Sequence, residues 1–359
     1  MRHHAPGQHG SASRWDRRRL LTALAATLAA PALRSAHAGQ KAQDAPTTRP
    51  ARLVDVHHHL FLPAMQAALK SVLSPFQLAD VQRSLAEMRA GGTATAIISY
   101  PNDTITRLPA PRLTALLRQT NDEAAALVQQ RPHTYGLFAS LPMPYVTESL
   151  RELAHAYDDL HVDGILLLTS YGDRWLGHPS FAPVLEELNR RRAVVFVHPI
   201  TPMCCGTLLP PLNPSVIEFE TDTARTIADL IFTGSIDRFP DIRWLFSHAG
   251  GTMPSLIERF DTATNSSPKI RGHFTQPPRH YLRGFYFDTA QAANPVALGA
   301  LLGIVAPSQL LFGTDFPYRT AAQQSDALRA MPLLQGALPG ILRDNARRLL
   351  PRLQSAQPA

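Results

Sequence analysis

Three histidines close the apolar run Leu53-Val54-Asp55-Val56-His57-His58-His59. Successive side chains of an extended strand point to opposite faces, so His57 and His59 share one face and His58 turns away. Two imidazoles on one side of a strand end make half a site for zinc or a similar ion. A strand-like run in front of them excludes an expression tag; a chance cluster in a chain with 15 histidines is the other alternative. Further ligand-capable residues follow other apolar runs. His198-Pro199 comes after Ala193–Val197, His248-Ala249-Gly250-Gly251 after Ile242–Phe246, Asp288 after Phe285–Phe287, and Asp315 sits in Gly313-Thr314-Asp315-Phe316-Pro317 after Gln309–Phe312. One buried histidine needs only a hydrogen-bond partner, but His and Asp at four more strand ends point to chemistry.

Something must bring those ends together. The apolar runs number eight: the four just named together with Leu53–Val56, Ala94–Ser99, Tyr135–Ser140 and Gly164–Leu168. Helical patterns lie between them, such as Leu78–Arg89, Arg112–Gln130, Thr147–Tyr157, Phe181–Arg191 and Asp222–Ser235. Alternating strands and helices, with strands reading as continuous apolar runs, predict an α/β fold of the (β/α)8 TIM-barrel type. In that fold every strand's carboxyl end opens onto one face, where active sites lie. The longer loops at 169–179 and 200–213 fall at that mouth, and Ile341–Leu350 reads as a closing amphipathic helix before a frayed tail. A chain of 359 residues is long enough for one such domain, which we place at 52–359.

The front of the chain reads differently. Residues 1–38 carry six arginines against Asp16, a charge of +5, which leaves only +2 of the total +7 for the rest. The basic balance therefore says little about partners. Arg17-Arg18-Arg19, the apolar stretch Leu20 to Leu33 and Ala36-His37-Ala38 have the order of a signal peptide, and Ser13 to Leu21 resembles a twin-arginine export signal. Export to the periplasm or beyond is the expectation, and the cytoplasm the alternative. Residues 39–51 read as a flexible linker. No nucleic-acid motif and no membrane span is evident after the signal. The only cysteines, Cys204 and Cys205, are adjacent, a spacing that strains a disulfide, so no bridge is expected and small buried packing residues or a pocket lining are.

Taken together, the segments Asp55 to His59, Val197-His198-Pro199, Ser247 to Gly251 with Pro254 and Arg259, and Leu311 to Pro317 resemble the metal-dependent amidohydrolase superfamily. Within it they are similar to the branch of aminocarboxymuconate-semialdehyde decarboxylase and related aromatic-acid decarboxylases. Thr169 to Gly177 and Pro202-Met203-Cys204-Cys205 look like the 6-methylsalicylate decarboxylase group. The resemblance implies one divalent metal, zinc or manganese, held by His57, His59, His198 and Asp315, with His248 as acid/base. It also implies a small aromatic acid substrate, a homodimer, and Arg259 reaching the substrate carboxylate, sometimes from a neighbouring subunit.

The implied reaction is non-oxidative decarboxylation of a 2-hydroxybenzoate-like acid. The ring carbon bearing the carboxylate is protonated by His248, Asp315 or metal-bound water, and CO2 then departs. A hydrolase acting on a lactone or amide uses the same ligands, and an exported metal-binding protein without turnover is the alternative of another class. Around the site, Asp288 is either a partner to a ligand histidine or the start of a loop, and Tyr171 and Trp175 either stack on the aromatic acid or pack the loop. Arg259 could equally be a surface residue beside Glu258 and Asp261. His58 and His178 are expected to be structural, with His178 in place of a better helix-capping aspartate.

Overall fold

The computed structural model describes residues 53–354 apart from 102–103, 206–211 and 267. The signal and linker expected at 1–38 and 39–51 lie outside the described residues. Eight parallel strands, β1 (Leu53–His59), β2 (Thr93–Ser99), β3 (Tyr135–Ser140), β4 (Gly164–Leu168), β5 (Val194–His198), β6 (Arg243–Phe246), β7 (Tyr286–Asp288) and β8 (Leu310–Leu311), pair in sequence order. Backbone bonds from Val56 N to Phe312 O (3.0 Å), Asp315 N to His57 O (2.9 Å) and His59 N to Phe316 O (3.0 Å) join the last strand to the first and close the barrel.

Two layers of core explain why the strands read as unbroken apolar runs. Inside the barrel, Val54, Val56, Ile97, Phe138, Leu166, Phe196, Leu245 and Leu311 meet one another. The alternate side chains pack outward against the helices. Each large apolar side chain so buried contributes roughly 1.5–3 kcal/mol. The floor is Ala346, Leu349, Leu350 and Leu353. The closing helix begins as a π-helical turn, Gly340–Asp344, and continues as Asn345–Leu349. The tail does not fray at once after Pro351: Leu353 is buried, and Arg352 Nε donates to Asp163 Oδ1 at 2.8 Å.

Strict alternation along β1 would put Val56 and His57 on opposite faces. Instead the register against β2 slips by one residue between Asp55 and His58. An inserted residue of this kind re-aims the side chains that follow it. Val54 and Val56 fill the interior, and His57 and His59 then also face inward at its top. Asp55 turns aside, its Oδ1 accepting from Thr314 N (3.0 Å) and His57 N (3.1 Å) and its Oδ2 from Thr314 Oγ1 (2.6 Å). His58 is structural, as expected: Nε2 lies 2.8 Å from Ser84 Oγ, and the ring stacks on Phe316 at 4.3 Å.

Helices pack around the outside, among them α1 (Val81–Gly91), α2 (Ala110–Gln130), α3 (Glu218–Phe232) and α4 (Met253–Ser266). Asp80 starts α1 by accepting from Arg83 N at 2.8 Å, and Gly92 ends it in the left-handed region at φ 78°. His178 does cap the short turn after it, Nδ1 accepting from Ser180 N at 3.2 Å. Cys204 and Cys205 depart from expectation. Their sulfurs are joined, S–S 2.33 Å, on a turn closed by Cys205 N to Pro202 O, with Cys204 exposed and Cys205 buried. Among the described residues no helix is long and apolar enough to cross a membrane.

Candidate functional site

The strand ends converge as the barrel requires. His57 and His59 end β1, His198 ends β5, His248 follows β6, Asp288 ends β7 and Asp315 follows β8. One donor atom from each of His57, His198, His248 and Asp315 lies within 4.8 Å of the others, and all four residues are buried. His59 belongs to the same group: its Nε2 is 3.0 Å from His57 Nε2 and 2.9 Å from Asp315 Oδ1. Gly313 makes this crowding feasible, because a Cβ there would lie 2.9 Å from His57 Cβ and 3.1 Å from Asp288 Cβ.

The outer nitrogens are engaged, which turns the inner ones to the centre. His57 Nδ1 is 2.8 Å from Asp288 Oδ2, His198 Nδ1 is 2.8 Å from Pro199 O, and His59 Nδ1 is 3.2 Å from Ser99 Oγ. A carboxylate or carbonyl can only accept, so Nδ1 of His57 and of His198 carries the proton and donates. Neutral rings of that tautomer aim an Nε2 lone pair inward, as metal-binding histidines do. Facing lone pairs 3.0 Å apart need a cation between them or a proton on one ring.

Electrostatics agree. Burial, reinforced by the neighbouring imidazoles, lowers His198 well below its ordinary value, and burial lowers His59 despite Asp315. At His57 burial also acts downward, but Asp288 and Asp315 outweigh it and raise the ring to about 10. Burial would raise Asp315; the charge of His57 and the facing rings overcome it and hold the carboxyl well below the usual range. Buried anions thus hold positive charge at the centre, which a divalent ion would supply. Three imidazoles and a carboxylate fit such an ion by donor type and convergence.

His248 lies in the same cluster but differs from the other rings in its hydrogen bonding. Neither ring nitrogen has a hydrogen-bond partner among the described residues, although the residue is only 4% exposed. Nε2 is 3.7 Å from Asp315 Oδ2 and Nδ1 is 3.5 Å from Glu220 Oε1. The backbone is held in the left-handed region, φ 52° at His248 and 56° at Ala249, and His248 N donates to Asp288 Oδ1 at 3.0 Å. Asp288 therefore ends the strand and fixes two site histidines at once. Gly251, at φ 61°, lets Thr252 N reach Glu220 O at 3.1 Å; a Cβ there would collide with that carbonyl. The close approach sets the first turn of α3 against His248.

A cavity of about 720 Å³ opens above the cluster, with His59, His198, His248 and Asp315 at its base. Phe61, Ile200, Val216 and Phe219 give it apolar walls, and Glu220, Gln291, Asn213 and Tyr318 give it polar ones. No arginine or lysine lines it among the described residues.

Of the three residues expected to touch substrate, Tyr171 and Trp175 pack within their own loop, and Arg259 lies outside the cavity of its own chain. Arg259 is exposed on α4 and does not line the cavity, while its neighbours Glu258 and Asp261 pair with Arg279. Tyr171 is buried behind the wall, its hydroxyl accepting from Leu168 N at 2.9 Å. Trp175 Nε1 donates to Asp222 Oδ1 at 2.8 Å. Both aromatics pack the loop, because a buried phenol and indole need polar partners and find them there. Glu220, Gln291 and Ser99 were not anticipated. None falls in a ligand-like spacing, and a strand-end rule catches only Ser99, the last residue of β2.

A family model described as amidohydrolase matches residues 54–352. The 6-methylsalicylic acid decarboxylase of Aspergillus aculeatus is 34% identical over 328 residues, 85% of this chain and 97% of the relative. That of Penicillium expansum is 35% identical over 275 residues, covering 74% and 84%. A dihydroxybenzoic acid decarboxylase from a Polaromonas species, solved with manganese and 2-nitroresorcinol, superposes with a TM-score of 0.74 at 21% identity, covering 85% and 98%.

Proposed function

The chain belongs to the amidohydrolase family, and from that premise we propose that it is a metal-dependent, non-oxidative decarboxylase of a small 2-hydroxybenzoate-like acid such as 6-methylsalicylate. The observation that carries this reading is the buried His/Asp cluster at the base of a cavity large enough for one aromatic acid.

His57, His59, His198 and Asp315 would hold the ion, zinc by donor type; manganese occupies the Polaromonas enzyme of the same fold. When bound, the ion supplies Lewis-acid charge for oxygens of the substrate. His248 faces the cavity, and among the described residues neither ring nitrogen is held by a hydrogen bond, so its Nε2 can donate a proton to the ring carbon that bears the carboxylate. Protonation there makes that carbon tetrahedral and interrupts the aromatic ring, which gains the positive charge. The bond to the carboxylate then breaks, its electron pair restores the aromatic ring, and CO2 leaves. Asp315, held ionised, is an acceptor in this scheme, and Glu220 beside Nδ1 stabilises the protonated imidazole. Phe61 and Phe219 supply apolar walls for the ring.

The test is CO2 release from a panel of 2-hydroxybenzoates, 6-methylsalicylate among them, by protein of verified metal content. Release that His248→Asn abolishes supports the reading. No release from any member by fully metallated protein overturns it in favour of lactone or amide hydrolysis. We also propose export through residues 1–38 and a homodimer; full-length protein in the cytoplasmic fraction, and a monomer by light scattering, would refute these in turn.

A further inference from the structure

Between the barrel mouth and Asp315 runs a two-link chain of side chains that the mechanism above does not use. Gln291 Nε2 donates to Asp315 Oδ2 at 3.0 Å, and Arg319 Nε donates to Gln291 Oε1 at 3.1 Å. The two ends of a carboxamide are ordinarily interchangeable by rotation. Here they are not: a guanidinium only donates and an ionised carboxylate only accepts. Turning the amide over would set oxygen against oxygen at Asp315 and nitrogen against nitrogen at Arg319. Arg319 thus dictates which end of Gln291 faces the site.

The carboxylate gains a defined orientation from this. Asp315 Oδ1 points to the ligand rings, 2.9 Å from His59 Nε2 and 3.3 Å from His57 Nε2, while Oδ2 is the oxygen that Gln291 holds. Both residues of the pair depart from ordinary backbone, Gln291 at φ 54° and Asp315 at φ 63°, a region a non-glycine residue enters when its surroundings fix it there. Asp288 stabilises the turn that carries Gln291, its Oδ1 accepting from Ala290 N at 2.9 Å.

We propose that Gln291, clamped by the exposed Arg319, is a positioning residue that keeps Asp315 Oδ1 aimed at the metal centre. The inference rests on Asp315 being a metal ligand, as in the reading above. Partners of this kind typically cost about 10–100-fold in metal affinity when removed.

The experiment competes the purified full chain, loaded with zinc or with manganese, against a chelating dye, and records melting temperature in the same samples. Gln291→Ala should bind about 10-fold more weakly or worse. Gln291→Glu keeps the size and the Arg319 contact but sets an oxygen against Oδ2, so it should also lose affinity, whereas a packing role would leave it like the wild type. Arg319→Ala should lose part of the same amount, and the double variant should be no weaker than Gln291→Ala alone, because Arg319 acts only through Gln291. Unchanged affinity in Gln291→Ala and Gln291→Glu, or losses that add in the double variant, would overturn the proposal. His198→Ala, which removes a ligand, separates the two failures: weak binding there with normal binding in the Gln291 variants defeats the clamp alone. Metal bound as expected but no CO2 released defeats the decarboxylase alone.

Discussion

His57 and Asp288, 231 positions apart in the chain, meet at 2.8 Å between Nδ1 and Oδ2, and both are fully buried. The other oxygen of the same carboxylate accepts from His248 N and Ala290 N. An asparagine has one accepting oxygen, so Asp288→Asn must turn an NH2 toward a donor on one side or the other. We expect metal affinity to fall about 10–100-fold, measured by chelator competition. Wild-type affinity would mean that Asp288 neither fixes His57 nor shapes the centre.

His248→Asn tests the acid. General acid catalysis by a placed side chain contributes about 10²–10⁴-fold, and the loss should appear in kcat with metal content unchanged. A comparable rate in this variant would assign the proton to another group.

Glu220 shapes how His248 responds to pH. Burial pulls His248 down, yet Asp315 and Glu220 outweigh it, so the ring is raised above its ordinary value. An acid catalyst works while protonated, so activity should be present below the raised value and lost as pH rises through it. Glu220→Gln removes one raising influence and should move that alkaline limb to lower pH. A limb that stays in place, in kcat against pH, would separate Glu220 from the reaction.

Asp55 ties the two ends of the barrel together by accepting from Thr314 N, Thr314 Oγ1 and His57 N. Asp55→Ala strands these buried donors, each loss costing about 1–3 kcal/mol. A clear fall in the urea midpoint is expected, and an unchanged midpoint would show that the closure does not depend on this residue.

Trp175 offers the converse case. Trp175→Phe removes the hydrogen bond to Asp222 and should cost about 1–2 kcal/mol of stability while KM stays near the wild-type value. A raised KM at unchanged stability would return the indole to the substrate pocket.

The amino-acid sequence by itself determined the barrel and most of the cluster. Strands buried on both faces must be apolar throughout, which is why Ala94–Ser99 or Gly164–Leu168 can be recognised without any partner in view, and a period of two puts His57 and His59 together. Polar residues just past such runs stand out against them, so His198, His248 and Asp315 were visible too. The slip that brings His57 inward beside Val56 was not visible, because it depends on pairing with β2. Nor were the roles of Glu220 and Gln291, or the packing of Tyr171 and Trp175 away from the cavity. These depend on the path of loops and on which donor meets which acceptor across hundreds of residues, as when Gly251 draws α3 onto His248 or Arg319 turns the amide of Gln291. Local pattern sets the elements; contacts between distant segments set the direction in which each reactive atom points.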